Sequence, residues 1–319
     1  MMPSENNEWM IRLVGLRKSY GELVAVKDLS LDIRRGEIFG FLGPNGAGKT
    51  TTISMMCGLL VPDAGEIFID GFLATEKNGR GKKLLGLCPQ DIVIWESLTC
   101  LEQMEFVARL YDVPRAVARN RSLELLGVFG LEGKKHKWAK TLSGGMKRRL
   151  NIALALVNDP PILVLDEPQA GLDPQSRILV REYIQSLAGK KTVILTTHEM
   201  DEADRLAQRI GIIDHGELLV LDTSGNLKDQ VGEGDILEIK ISDSQEEKSS
   251  QLHLNLPGNL RLLEHRQGLF RFIGAHIPEI LPGLMEHCKQ IGLRIEDMTI
   301  RKKTLEDVFI SLTGRRLRE

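Results

Sequence analysis

Residues 43–50 read Gly-Pro-Asn-Gly-Ala-Gly-Lys-Thr and fit the pattern G-x-x-x-x-G-K-[ST]. The apolar run 37–42 feeds this loop, and residues 49–59 behind it carry a helical pattern. That context constrains the fold more than any other feature, because it makes the loop one strand–loop–helix unit of an α/β domain. Glycines let successive backbone N–H groups turn inward around phosphates, and the helix N-terminus adds a favourable dipole. Lys49 would neutralise the β- and γ-phosphates, Thr50 would ligate Mg²⁺, and Thr51 would donate to the α-phosphate. Gly43, Pro44, Asn45, Gly46, Ala47 and Gly48 form the rest of the cradle.

A second carboxyl-rich strand end follows at 162–167, Ile-Leu-Val-Leu-Asp-Glu. Asp166 suits an outer ligand for Mg²⁺. Glu167 stands where a carboxylate orients or deprotonates an attacking water. A third element, Ser143-Gly144-Gly145, opens a helix whose apolar stripe is Leu150, Ala153, Leu154 and Val157. Ser143 is a natural N-cap there, and the same helix start can hold an anion. One protomer has no need of two such elements for one nucleotide. Two copies placed head to tail would each lend the second element to the other's triphosphate.

The rest of the chain sorts into segments. Residues 11–20, 24–33 and 66–70 read as strands, and 98–157 turns helical until Asp159-Pro160-Pro161 stops it. The α/β alternation then resumes, with a helix from Asp173-Pro174 to near Gly189, a strand over 192–197, a helix over 201–209, and strands over 210–214 and 217–221. The glycine-rich joint 231–235 marks a boundary. Beyond it, strands over 237–241, 269–273 and 293–300, a helix over 279–290 and a stripe of Leu305, Val308, Phe309 and Leu312 make a small α+β domain without a catalytic signature. Residues 242–251 read as loop or solvated helix.

Composition excludes little but helps. With 42 basic and 44 acidic residues, net charge gives no reason to expect nucleic acid as a partner. The basic runs 134–137 and 315–318 suit solvated surface. The four cysteines form no Cys-x-x-Cys pair, and residues 1–8 hold no secretory apolar region, which together fit a reducing cytoplasm. No run approaches the roughly 18 apolar residues of a spanning helix. A membrane role would need a partner.

In their order along the chain, Tyr20, the loop 43–50, Gln90, Leu142-Ser143-Gly144-Gly145, Asp166-Glu167, Gly171-Leu172-Asp173 and His198 resemble the nucleotide-binding subunit of ATP-binding cassette (ABC) transporters over residues 10 to about 225. The resemblance implies a P-loop ABC ATPase domain at 1–230, with a RecA-like α/β core, an antiparallel β subdomain and a helical insertion at about 92–158. A small α+β accessory or dimerisation domain would follow at 235–319. It implies that Tyr20 stacks on adenine, Gln90 reaches Mg²⁺ and water, His198 hydrogen-bonds the γ-phosphate, and Asp173 lies in a loop crossing a dimer interface. Ser143, Gly144 and Gly145 would hold the γ-phosphate of the opposing protomer's ATP. Read singly, Tyr20 is more often a packed turn residue, Gln90 a polar loop residue and His198 a surface histidine, and Asp173 is explained as a helix cap; only their joint order lifts these readings. Trp95 suits either a partner contact or the core.

Two departures stand out: Met146 where many members have glutamine, and Gln169 where threonine or serine is usual. Segments 158–160, 173–177, 305–309 and 312–315 are similar to those of the daunorubicin-resistance branch of ABC-2 exporters. That likeness implies a transport-coupled ATPase using ATP and Mg²⁺, a second copy of the chain, and a transmembrane permease as a separate chain. The expected location is the cytoplasmic face of the membrane. The alternative is a soluble ABC-type ATPase acting on DNA or the ribosome; the long coiled coil or paired cassettes usual there are not seen. A P-loop kinase or GTPase would leave Ser143-Gly144-Gly145 and His198 unexplained.

Overall fold

The computed structural model describes residues 8–76, 79–241, 259–266 and 268–314. The segments 1–7, 242–251 and 315–318 discussed above lie outside the described residues. The chain divides into two units, Met1–Leu221 and Asp222–Glu319.

The first unit opens with the antiparallel pair β1 (Trp9–Tyr20) and β2 (Leu23–Arg34), followed by β3 (Ile38–Leu42) and α1 (Lys49–Met56). Next come β4 (Ala64–Ile69), β5 (Phe72–Leu73) and β6 (Leu85–Cys88). Three helices follow, α2 (Cys100–Leu110), α3 (Arg115–Val128) and α4 (Gly144–Leu156). The chain then alternates through β7 (Ile162–Asp166), α5 (Pro174–Ser186), β8 (Thr192–Thr197), α6 (Met200–Leu206), β9 (Arg209–Asp214) and β10 (Glu217–Asp222). α6 is shorter than its periodicity suggests, because Ala207 turns extended and Arg209 already belongs to β9.

Two sheets result. One is antiparallel, in the order β2-β1-β4-β5; the other has the order β10-β9-β3-β8-β7-β6. Its neighbours β6/β7, β7/β8, β8/β3 and β3/β9 pair in parallel. Every residue of β3, β7 and β8 is buried, as expected of strands covered on both faces. Alternation along β7 divides its contacts between two cores. Leu163 and Leu165 join the helices α2 to α5, while Ile162 and Val164 join α1 and the antiparallel sheet. β6 escapes sequence reading because it is four residues long and interrupted by Gly86. That glycine has a packing reason: a Cβ there would lie 2.1 Å from the Ala155 carbonyl of α4, so helix and strand backbones meet directly.

The second unit contains α7 (Ser224–Gln230), β11 (Asp235–Ile241), β12 (Arg261–Arg266), β13 (Leu269–Gly274), α8 (Ile277–Gln290), β14 (Ile295–Arg301) and α9 (Leu305–Thr313). Its sheet is antiparallel, ordered β12-β13-β11-β14. One face packs Leu237, Ile239, Ile241, Phe270 and Phe272 against Ile277, Leu284 and Cys288 of α8. The other carries ions: Glu238 pairs with Arg271 and with Arg301, each at 2.8 Å, and Arg301 pairs with Asp307 of α9 at 2.7 Å. The glycine joint 231–235 lies inside this unit rather than ahead of it. Lys303 Nζ donates to Gly232 O (2.9 Å) and Asp229 Oδ1 (3.2 Å), and Arg261 donates to Val231 O. Gly234 serves a close approach, since a Cβ there would lie 2.0 Å from Gly274 O.

Candidate functional site

In the parallel sheet, β3, β6, β7 and β8 are neighbours with one direction, so the segments leaving their carboxyl ends converge. These are the loop 43–50, Pro89-Gln90, Asp166-Glu167 and Thr197-His198. The strand order does what the sequence order cannot, gathering residues up to about 150 positions apart at one edge.

The loop after β3 holds its shape through glycine. Gly48 has φ +102°, and a Cβ there would lie 2.5 Å from Ala25 O; a Cβ on Gly43 would lie 2.4 Å from Ile213 O. Gly46 differs, with φ +81° and no atom near a would-be Cβ, so its left-handed turn alone favours glycine. Ala47 is buried beneath the loop, and its carbonyl accepts from Gly216 N (3.0 Å). α1 has no acid in its first turn to compete with an anion. Lys49 Nζ donates to Gly43 O (2.7 Å) and Pro44 O (3.0 Å). Burial pushes the Lys49 ammonium below its ordinary pKa, and the charges of Glu167 and Asp166 oppose that.

The carboxylates at the end of β7 are fixed from several sides. Thr50 Oγ1 donates to Asp166 Oδ2 (3.1 Å), and Thr196 Oγ1 donates to Asp166 Oδ1. The same Thr196 hydroxyl accepts from Glu167 N (3.0 Å). Glu167 is buried with a left-handed backbone, φ +50°, a costly conformation for a side-chain-bearing residue. Its Oε1 lies 2.9 Å from His198 Nδ1. A carboxylate can only accept, so Nδ1 carries the proton of this bond. Cys88, next to Pro89, is buried, and burial pushes its thiol up to about 12 against the opposing charge of Arg148.

A cleft of about 450 Å³ is lined by Tyr20, Asn45, Gly46, Gly48, Lys49, Thr50, Thr51, Gln90 and Glu167, together with Leu23 and Ala25. The half-exposed Tyr20 ring therefore stands at the same cleft as the phosphate loop. Ser143, Gly144, Gly145 and Asp173 are not among its walls. Ser143 caps α4, accepting from Met146 N (3.3 Å), and Asp173 caps α5, accepting from Ser176 N (3.2 Å) and Ser176 Oγ (2.7 Å). The two caps are neighbours, for a Cβ on Gly145 would lie 3.7 Å from Asp173 Oδ1. Trp95 is exposed and edge-on to Phe106, so it is not a core residue.

Three residues that sequence reasoning passed over lie among the hydrogen bonds around these groups. Thr196 was visible only as a strand end. Arg148 and Asn151 lie on α4 outside the stripe 150, 153, 154 and 157, yet both are buried. The helix is enclosed on nearly all sides, so one apolar stripe describes only part of its buried surface. Buried polar residues three apart on such a helix were the available signal.

Chemically, the cleft offers the aromatic ring of Tyr20 and the cationic Lys49 of the glycine loop among its walls. The Thr50 hydroxyl and Gln90 also line it, and Asp166, just behind the wall, receives the Thr50 hydroxyl. Thr50 and Asp166 already touch, and this hard-oxygen set fits Mg²⁺. Bound there, the ion would neutralise phosphate charge.

Residues 26–170 match the family profile described as "ABC transporter". The chain is 34% identical over 311 residues to the linearmycin resistance ATP-binding protein LnrL of Bacillus subtilis, covering 97% of this chain and 100% of that one. It is 36% identical over 307 residues to the daunorubicin/doxorubicin resistance ATP-binding protein DrrA of Streptomyces peucetius, covering 95% and 92%. Among solved structures, a dimeric ATP-binding cassette in a post-hydrolysis state, bound to ADP and Pi, superposes with a TM-score of 0.62 at 29% identity. That match covers 67% of this chain and 98% of the other.

Proposed function

The chain belongs to the ABC transporter family as an ATP-binding, ATP-hydrolysing subunit of the exporter type, and from that premise we propose how its residues work. Two copies close head to tail on two ATP molecules, each nucleotide lying between one protomer's Lys49 and the other's Ser143-Gly144-Gly145. Tyr20 stacks on adenine, and the N–H groups of residues 43–51 with Lys49 hold the phosphates. Thr50, Asp166 and Gln90 would hold Mg²⁺, which would neutralise phosphate charge. Glu167 orients the attacking water and takes its proton, while His198, tied to Glu167 through Nδ1, turns Nε2 toward the γ-phosphate. Loss of that phosphate removes the charge that bridges the protomers, and the dimer reopens.

One observation carries the reading. Tyr20, Lys49, Thr50 and Glu167 line one cleft of a single protomer, while the start of α4 is not among its walls and lies beside the cap of α5. A second copy supplies a use for that free helix start. Opening and closing would drive a separate transmembrane permease through the loop after Gln90, with exposed Trp95 at the contact. That permease would hold the subunit at the cytoplasmic face of the membrane; no helix among the described residues is long and apolar enough to cross it.

The test is complementation. Ser143→Arg and Lys49→Ala each abolish turnover alone. Mixed, they form heterodimers in which one of the two sites is intact, so activity returns. If mixing leaves both defects unchanged, nucleotides are not shared between protomers.

A further inference from the structure

α4 begins with Ser143-Gly144-Gly145 and, one turn in, presents a buried cation. The guanidinium of Arg148 donates only to backbone carbonyls, and these belong to two separate segments. Nη1 reaches Pro89 O (2.9 Å) and Gln90 O (2.6 Å). Nη2 reaches Asp166 O (2.8 Å) and Glu167 O, and Nε reaches Pro168 O (3.3 Å). Asn151, one further turn along, extends the grip: Nδ2 donates to Asp91 O (3.4 Å), and Oδ1 accepts from Val93 N (3.2 Å).

A site that only needed filling would take leucine or methionine, because burying a charge is costly. An arginine does what those cannot, which is to tie the left-handed backbone of Glu167 and the Gln90 loop to one rigid helix. We infer that Arg148 is a positioning residue of the hydrolytic site, coupling the helix that carries Ser143–Gly145 to the carbonyls that set Gln90 and Glu167. A shift of α4 as its start engages the partner copy's nucleotide then moves the hydrolytic groups of its own protomer. The inference rests on the assignment of Glu167 made above.

Arg148→Lys and Arg148→Met test it in the full chain, with ATP affinity, kcat and melting temperature measured together. A lysine has three donors at one point and cannot span both segments. Nucleotide affinity, set by the loop 43–51, should stay within about threefold of wild type, while kcat falls roughly 10- to 100-fold. The fall should shrink when Arg148→Lys is placed in a Glu167→Gln background, since part of it acts through that carboxylate. Unchanged kcat with a lower melting temperature would mark a packing role and overturn the proposal; so would a full effect persisting without Glu167. Should both variants fail to bind nucleotide, Asn151→Ala decides, because it loosens the same loop without removing a charge. Wild-type kcat there overturns the coupling, and a several-fold loss supports it. Normal turnover by Glu167→Gln alone would instead remove the assignment of Glu167.

Discussion

Replacing Glu167 with glutamine separates chemistry from folding at this site. The two side chains are nearly isosteric, and the amide oxygen can accept the bond that His198 Nδ1 makes at 2.9 Å. The backbone ties are untouched: Glu167 N still donates to Thr196 Oγ1, and Glu167 O still accepts from Arg148 and from Ala170 N. The structural change is one charge-assisted hydrogen bond becoming neutral, worth about 1 kcal/mol. That is small beside the roughly 5–15 kcal/mol that holds a domain folded. What disappears is the group that accepts the water's proton, which contributes about 10²- to 10⁴-fold in rate. By transition-state arithmetic this is roughly 3–5.5 kcal/mol. Catalysis should therefore fail well before stability does. Phosphate release at saturating Mg–ATP, equilibrium ATP binding and light scattering together read the outcome. We expect ATP affinity within about threefold of wild type, turnover down at least about 100-fold, and a dimer that accumulates with ATP. Turnover within about fivefold of wild type would refute the role of Glu167. Loss of ATP affinity in step with rate would show instead that the site had collapsed.

Two further outcomes follow from the same geometry. Thr196→Val keeps shape but removes the hydroxyl that holds Asp166 and receives Glu167 N; half-maximal ATPase activity should then need roughly tenfold more Mg²⁺, read from a metal titration. In the second unit, burial alone would push the Asp307 carboxyl up, but Arg301 and the Thr304 hydroxyl and N–H hold it below the usual carboxylate range. A depressed folded-state pKa gives stability that is complete above the unfolded value of about 4 and is lost as pH falls below it. Melting of this unit should thus weaken on acidification from about pH 4 downward, and Asp307→Asn should cost about 3 kcal/mol at neutral pH and flatten that dependence. An Asp307→Asn protein with unaltered melting at pH 7 would refute the pairing as a source of stability.

Local signals were legible wherever one short segment does a job alone. The glycines of 43–50 could be read because positive φ and close backbone approach are demands made by a few neighbours. Ser143 and Asp173 were legible as helix caps for the same reason, and both cap as expected. The apolar runs at β3 and β7 announced strands buried on both faces. β6 was not legible, because four residues including Gly86 carry no period and the glycine answers to α4, some 70 residues away in sequence. The glycine joint at 231–235 misled for a related reason. Glycine there permits contact with β13 rather than freedom between domains.

The sequence alone determined the parts of this protein that are chemically self-contained: a phosphate cradle, two carboxylates at a strand end, two capped helix starts. Their order sufficed for the family. Tertiary structure decided which of them share a cleft, because a parallel strand order brings β3, β6, β7 and β8 side by side whatever their distance along the chain. It also decided what Arg148 and Thr196 touch. A buried polar group takes its meaning from the partners that surround it, and those partners are assembled only by the fold.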